Sequence, residues 1–143
     1  MISKFIKAYL IIVVATLPLF VSASPKLKID SPWVRAMPPG ASMTAGYMTI
    51  TNEGSEKDEL ISISSTAAGS VEIHQSYIEN GMHQMKAVSK LEIPAGKKVN
   101  LSPGGYHLML HNIKKDLQPG KDIILNAKFK KSGNKKILAK VRK

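Results

Sequence analysis

The sequence predicts an all-β domain, arranged as a Greek-key sandwich or barrel. Apolar and polar residues alternate in short runs along residues 33–141, and clusters of turn-forming residues separate these runs. No segment shows a sustained helical period of apolar residues. About eight or nine short strands at this spacing are typical of antiparallel sandwiches and barrels.

The candidate strands can be placed by their alternation and by the turns between them. They cover residues 33–37, 46–52, 59–64, 71–78, 82–88, 98–101, 106–112, 122–129 and 136–141. Proline- and glycine-containing turns separate them at Pro38-Pro39-Gly40, Asn52-Glu53-Gly54-Ser55, Pro94-Ala95-Gly96, Pro103-Gly104-Gly105 and Pro119-Gly120. We find no internal repeat and no low-complexity linker, so residues 24–143 are expected to form one domain with a basic C-terminal tail.

The N-terminal residues 1–23 have the layout of a secretory signal peptide. Lys4 and Lys7 precede an apolar run at residues 8–21, and Val21-Ser22-Ala23 supplies the small residues of a cleavage site after Ala23. A membrane anchor is the alternative, but the run is shorter than the ~20 residues of a spanning helix. With no cysteine after the run, no lipoprotein anchor is expected. We expect a periplasmic protein without stable membrane insertion after signal cleavage.

Composition excludes several classes of function. The chain has no cysteine, which rules out disulfides, thiolate zinc sites and blue-copper electron transfer. The formal net charge is +11, with many of the lysines in residues 128–143. A solvated lysine-rich strand explains this charge, and docking on an acidic protein partner is the main alternative. Nucleic acid is not an expected partner, because the protein is exported and the lysines lack interleaved aromatic residues.

The most informative turn is Asn80-Gly81, because both residues tolerate the positive φ of a type I′ hairpin turn. A two-residue loop fixes the pairing of the flanking strands by counting outward from the turn. His74 and Met85 then fall on one face as diagonal neighbours, about 7–8 Å apart along their backbones. The predicted pairs are Glu79 with Met82, Ile78 with His83, Ser76 with Met85, and His74 with Ala87.

A second pair of soft donors lies on another strand. His107 and Met109 are two residues apart, so they share a face, while Leu108 and Leu110 point to the presumed core. Imidazole with thioether is a selective combination, because thioether has good affinity for Cu(I) and little for Zn²⁺, Mg²⁺ or Ca²⁺. Two strand pairs that each present a His and a Met therefore predict a Cu(I) site at His74, Met85, His107 and Met109.

The spacing of these four residues resembles a known signature. His74, ten residues, Met85, twenty-one residues, His107, one residue and Met109 is similar to the pattern of the periplasmic copper chaperones called PCu(A)C. Further blocks resemble the family across most of residues 31–129, among them Trp33-Val34-Arg35-Ala36, Gly46-Tyr47-Met48-Thr49-Ile50 and Pro103-Gly104-Gly105-Tyr106.

The resemblance implies a cupredoxin-like β-sandwich that binds one Cu(I) through His74, Met85, His107 and Met109. It also implies that the protein delivers copper to an acceptor, which in this family is the CuA centre of cytochrome c oxidase. Some relatives are linked instead to other haem-copper oxidases or to general periplasmic copper handling. Gln75 and Ser76 stand where many relatives have a methionine, which leaves an auxiliary ligand in doubt. The tail is rich in lysine rather than in His and Met, so no second copper site is expected there.

Other histidines and methionines carry weaker signals. His83 shares the face of His74 and Met85 but lies closer to the turn, and His111 lies two residues beyond Met109. We interpret both mainly as surface residues, with participation in metal binding left open. The remaining methionines are expected in loops, in the core or on the opposite face: Met37, Met43, Met48 and Met82.

Two rival functions share the predicted fold. A copper-binding buffer or tolerance protein would use the same site without a dedicated acceptor. A metal-free sandwich would act as an interaction module through its basic face. We expect no enzyme, since paired carboxylates, a nucleophile beside a base and a phosphate-binding glycine loop are all missing from the pattern. A monomer is expected.

Overall fold

The computed structural model describes residues 15–143 and contains β-strands but no helix in that range. The predicted all-β class is confirmed. Most of the predicted signal segment, residues 1–14, lies outside the described residues, and residues 15–26 have no regular secondary structure. No helix in the described part of the chain is long and apolar enough to cross a membrane. The strands are β1 (Leu27–Arg35), β2 (Met43–Asn52), β3 (Asp58–Ser64), β4 (Ala68–Glu79), β5 (Met82–Val88), β6 (Leu91–Ile93), β7 (Lys98–Leu101), β8 (Tyr106–Ile113), β9 (Asp122–Phe129) and β10 (Gly133–Arg142).

The strands form one hydrogen-bonded series in the order β5-β4-β8-β7-β2-β1-β10-β9-β3-β6, with β8 also paired to β2. The β1–β10 pairing is parallel, whereas β4 runs antiparallel to both β5 and β8. The series curls on itself, so that inward-facing residues from distant strands, such as Leu108, Ile50 and Phe129, join one buried core. The candidate site therefore lies on the outer face of the β5-β4-β8-β2 half of the sandwich.

The hairpin between β4 and β5 has the predicted turn. Asn80 has φ +50° and Gly81 has φ +75°, as a type I′ turn requires. The predicted pairs Ser76 with Met85 and His74 with Ala87 are confirmed. The register of this hairpin therefore follows from two residues of the sequence.

The structure departs most from the predicted strands at β1 and β6, while β2, β4 and β10 each begin three residues before the predicted start. Strand β1 begins at Leu27, six residues before the predicted start, and it crosses an irregularity at Ser31-Pro32 where Ser31 has φ +48°. The pairing with β2 shifts register between Asp30 and Trp33, so the Ser31-Pro32 pair forms a bulge inside the strand. Strand β6 spans only Leu91–Ile93, which is too short to show an alternation.

The structure confirms the predicted positions of Met48, Met37 and the lysines of β10, but not that of Met43. Met48 is buried in the core, and Met37 packs against it, as predicted. Met43 is instead half exposed on β2. In β10 the residues Ile137, Ala139 and Val141 are buried while Lys136 and Lys140 face solvent, as expected for a solvated lysine-rich strand.

Asn52 links the start of β1 to two loops. Its side chain is fully buried, and its Oδ1 accepts hydrogen bonds from the backbone N–H groups of Lys26 and Gly54, at 3.1 and 3.0 Å. Its Nδ2 donates to the carbonyl oxygens of Glu56 and Ile93, at 2.8 and 3.2 Å. One amide thus satisfies four backbone groups, two of them in the loop between β2 and β3.

We expect Asn52→Ala to lower the free energy of unfolding by about 2–4 kcal/mol, because buried backbone groups would lose their partners. Urea unfolding followed by circular dichroism measures this loss. Asn100→Ala is the matched control, since the Asn100 amide bonds the Thr49 hydroxyl on the exposed surface and should change stability by about 0.5 kcal/mol or less. Equal losses in the two variants would contradict the role given to Asn52.

Asp58 closes the turn between β9 and β10. Its carboxylate accepts hydrogen bonds from the backbone N–H groups of Glu59 and Lys131, both at 2.8 Å, and of Ser132 at 2.9 Å. Burial raises the pKa of this carboxyl, but the hydrogen bonds from Ser132, Lys131 and Glu59 outweigh burial and hold the pKa below its ordinary value of 3.8. The folded protein therefore favours the ionised form of Asp58.

A lowered pKa in the folded state adds stability that is fully present above the ordinary pKa and is lost as pH falls through the folded value. Asp58→Asn should therefore lower the free energy of unfolding by about 2–4 kcal/mol at pH 7, with the difference from wild type shrinking below the ordinary pKa of 3.8. Urea unfolding at a series of pH values measures both. Asp30→Asn, which breaks an exposed pair with Lys28, should cost less than about 1 kcal/mol. If the difference in unfolding free energy between wild type and Asp58→Asn stayed constant below pH 3.8, this would contradict the role given to Asp58.

Candidate metal centre

The pairing of β4 with β8 brings the two predicted histidines together. His74 lies opposite His107, and their ring centroids are 5.7 Å apart. Met85 lies opposite Ser76 on the other side of β4, and Met109 lies two residues along β8 from His107. All four predicted residues therefore project from one face of the sheet, opposite the buried Leu108 and Leu110.

Three of the four predicted residues line a common depression of about 280 Å³. Met85 contributes from β5, while His107 and Met109 contribute from β8. His74 is not among the lining residues, and its ring stands at the margin, beside His107. The full lining is Arg35, Ala45, Tyr47, Ser76, Met85, Pro103, Gly104, His107 and Met109.

A hydrogen bond to a backbone carbonyl fixes the tautomer of His107. Its Nδ1–H donates to the carbonyl oxygen of Gly105 at 3.1 Å, since a carbonyl can only accept. In the neutral ring the lone pair is then on Nε2. His107 is 6% exposed, so its orientation is fixed by packing as well as by this hydrogen bond.

His74 is held in the opposite tautomer. Its Nε2–H donates to Oε2 of Glu72 at 2.8 Å, which places the lone pair of the neutral ring on Nδ1. Nδ1 is buried and has no hydrogen-bond partner among residues 15–143. An unpartnered buried acceptor costs free energy unless something binds it, so this nitrogen fits a metal ligand. The hydrogen bond from His74 lowers the pKa of the Glu72 carboxyl, and this effect outweighs desolvation, which raises it.

Glu72 also joins His111 to this arrangement. His111 Nε2 lies 3.2 Å from the same Glu72 oxygen, and the His74 and His111 ring centroids are 6.1 Å apart. His111, left open in the sequence analysis, thus lies beside Glu72 rather than in the depression. His83 pairs with Ile78 and is exposed.

Sequence reasoning did not single out Glu72, Arg35 or Tyr47. Strand parity could have found Glu72, because it lies two residues before His74 and so on the same face. Arg35 and Tyr47 reach the depression from β1 and β2. Tyr47 stacks against Trp33 with ring centroids 4.6 Å apart, and the Arg35 guanidinium lies 5.9 Å from the Tyr47 ring centroid. These contacts depend on the pairing of β1 with β2, which no local sequence pattern sets.

Comparison with known sequences places the chain in a family. The family model described as "Putative lipoprotein LpqE-like" matches residues 27–141. A protein of Leifsonia xyli subsp. xyli, described as a putative lipoprotein, is 35% identical over 104 residues, which are 72% of this chain and 61% of that protein. An uncharacterized protein of Rickettsia prowazekii is 31% identical over 114 residues, 77% of this chain and 63% of that protein. The chain thus spans less than two thirds of the length of these relatives.

Solved structures share the fold. The copper-bound PCuAC domain from PmoF2 is similar with a TM-score of 0.71 and 28% identity, over 85% of this chain and 95% of that one. The Cu(I) form of DR1885 from Deinococcus radiodurans has a TM-score of 0.68 and 31% identity, over 86% of this chain and 82% of that one. The chain therefore belongs to the LpqE-like family, and its cupredoxin-like β-sandwich is a PCuAC-type domain.

Proposed function

We propose that this chain is a copper chaperone that binds one Cu(I) ion through His74, Met85, His107 and Met109. The observation that carries the proposal is the set of two imidazoles and two thioethers on one face of β5, β4 and β8. The similarity to copper-bound PCuAC domains supports it. Copper is here the cargo, and the protein's role is to hold and pass it on rather than to catalyse a reaction.

The donor chemistry favours Cu(I) over other ions. Thioether sulfur is soft and uncharged, which suits Cu(I) and suits hard cations poorly. The hydrogen bonds from His107 to Gly105 and from His74 to Glu72 leave one lone pair on each ring, so each neutral imidazole can donate to a metal without first losing a proton. No thiol is present to be oxidised.

Export to the periplasm is the second part of the proposal, with residues 1–23 as signal peptide and residues 24–143 as the copper-binding domain. The hydrogen bonds of the N-terminal segment support this boundary. The Ser24 carbonyl accepts from the Ser55 N–H at 3.1 Å, and the Lys26 carbonyl accepts from the Glu53 N–H at 2.8 Å. The folded domain thus uses the chain from Ser24 onwards.

Delivery requires ligands that can be replaced one at a time. Met85 is 57% exposed on the edge strand β5, whereas His107 is almost fully buried. An acceptor can therefore displace Met85 before the buried histidine. We propose a copper acceptor protein, the CuA centre of cytochrome c oxidase, as the destination, because thiolates bind Cu(I) more strongly than thioethers. The chaperone acts as a monomer in this scheme.

Methionine-to-leucine substitutions test whether the two thioethers bind Cu(I). Met85→Leu and Met109→Leu keep the side-chain size but remove the sulfur, and each should weaken Cu(I) binding at least as much as the roughly 10–100-fold that outer-shell changes cost. Titration against a chromophoric Cu(I) chelator measures this. Met82→Leu is the matched control, because Met82 lies on the same strand with 58% exposure but on the opposite face. Equal affinities in all three variants would rule out these ligands.

The delivery step has its own test. The Cu(I)-loaded protein, mixed with a reduced CuA-type acceptor domain and then separated from it, should lose its copper to the acceptor. An acceptor with its cysteines replaced by serine should leave the copper in place. Retention of copper in both mixtures would favour the buffer or tolerance function. A deletion strain then distinguishes the two further, since a chaperone predicts loss of oxidase activity that added copper restores, and a buffer predicts copper sensitivity alone.

A further inference from the structure

Glu72, His74 and His111 form a second cluster of donors beside the proposed Cu(I) ligands. One donor atom from each residue lies within 4.8 Å of the other two. The Glu72 carboxylate accepts hydrogen bonds from both imidazole Nε2–H groups, at 2.8 Å from His74 and 3.2 Å from His111. The proposed Cu(I) site uses Glu72 only as a hydrogen-bond partner of His74 and does not use His111, so the convergence of all three groups calls for its own explanation.

The donors of this cluster differ in kind from the Cu(I) set. One carboxylate oxygen and two imidazole nitrogens make a harder ligand set that carries a negative charge, and such sets bind Zn²⁺ and similar divalent cations. Three protein ligands with an open fourth position are typical of zinc sites that keep a water. The Glu72 side chain is 51% exposed and that of His111 is 27% exposed, so water has access to that position.

The present hydrogen bonds show how a cation would fit. Two imidazole protons now point at one carboxylate oxygen, and a divalent cation placed among the three groups would replace those protons. Zinc ligands lie at about 2.0–2.2 Å from the ion, which sets neighbouring donor atoms slightly more than 3 Å apart. The Glu72 oxygen lies 3.2 Å from His111 Nε2 and 2.8 Å from His74 Nε2, and all three donor atoms lie within 4.8 Å of one another. Side-chain shifts of about 1 Å would therefore bring them to the separations of a zinc site.

We propose that Glu72, His74 and His111 form a site for a divalent cation of the Zn²⁺ class, and that this site and the Cu(I) site exclude each other through His74. A neutral imidazole has one lone pair. With Nε2–H bonded to Glu72, the lone pair is on Nδ1, the buried nitrogen without a partner. A cation bound by Glu72 requires the lone pair on Nε2 and moves the proton to Nδ1.

The site itself stands without the proposed function, and only the mutual exclusion rests on it. Metal exclusion follows from the single lone pair, whichever nitrogen of His74 the Cu(I) ion uses. Zinc binding would therefore lower the affinity for Cu(I), and a Cu(I) ion would lower the affinity for zinc by the same factor.

Zinc titration of the purified protein, in competition with a chromophoric zinc chelator, tests the site. Glu72→Gln keeps a hydrogen-bond acceptor but removes the charge, and it should weaken Zn²⁺ binding by about tenfold or more. His111→Ala should do the same. Glu79→Gln, on the same strand near the exposed turn, and His83→Ala, on the neighbouring strand, are the matched controls and should leave zinc binding unchanged. Circular dichroism checks that each variant is folded.

The two metals then separate the two proposals. Saturating Zn²⁺ should weaken Cu(I) binding in the wild type but not in Glu72→Gln, while Met85→Leu should lose Cu(I) affinity and keep its zinc affinity. Zinc binding that is absent, or unchanged in both Glu72→Gln and His111→Ala, would overturn the divalent site. Zinc binding that depends on Glu72 in a protein that fails to bind Cu(I) would support the site and refute the copper function instead. Simultaneous binding of both ions at full affinity would overturn the exclusion.

Discussion

The antiparallel pairing of β4 with β8 is the constraint on which both the fold and the candidate site depend. It joins residues more than thirty positions apart, and its register places His74 opposite His107. The same register buries Leu108 and Leu110 completely. A slip by one residue would expose both leucines, each worth about 1.5–3 kcal/mol of burial, and would turn the histidines inward. Core packing on one face of β8 thus fixes the position of the donors on the other face.

Local rules predicted much of this arrangement from the sequence. The Asn80-Gly81 turn determines the register of β4 and β5 because its backbone requirement is met by two adjacent residues. Strand parity then assigns each side chain to a face without any knowledge of the partner strand. Pro32 shows where such rules fail, since a serine–proline pair inside β1 forms a bulge and not the beginning of a strand.

The site residues that sequence reasoning missed depend largely on how the strands pair. Glu72 is an ordinary exposed carboxylate on β4 until the pairing with β8 sets His111 across from Ser70. Only then do two imidazoles converge on one carboxylate oxygen. Arg35 and Tyr47 reach the depression in the same way, through the pairing of β2 with β1 and β8. Strand parity places Glu72 beside His74, but no local pattern encodes the approach of His111, Arg35 or Tyr47. The spacing of His107 and Met109 needs only their own strand.

The hydrogen bonds to Gly105 and Glu72 determine which nitrogen of each histidine carries the free lone pair. A backbone carbonyl fixes His107 permanently, because the carbonyl can only accept and the ring is buried. A half-exposed carboxylate holds His74, and a carboxylate oxygen can either accept a hydrogen bond or bind a cation. The two histidines therefore differ in how firmly their lone pairs are assigned. In the proposed copper site, His107 has its free nitrogen fixed by the backbone, whereas the free nitrogen of His74 would change if Glu72 bound a cation.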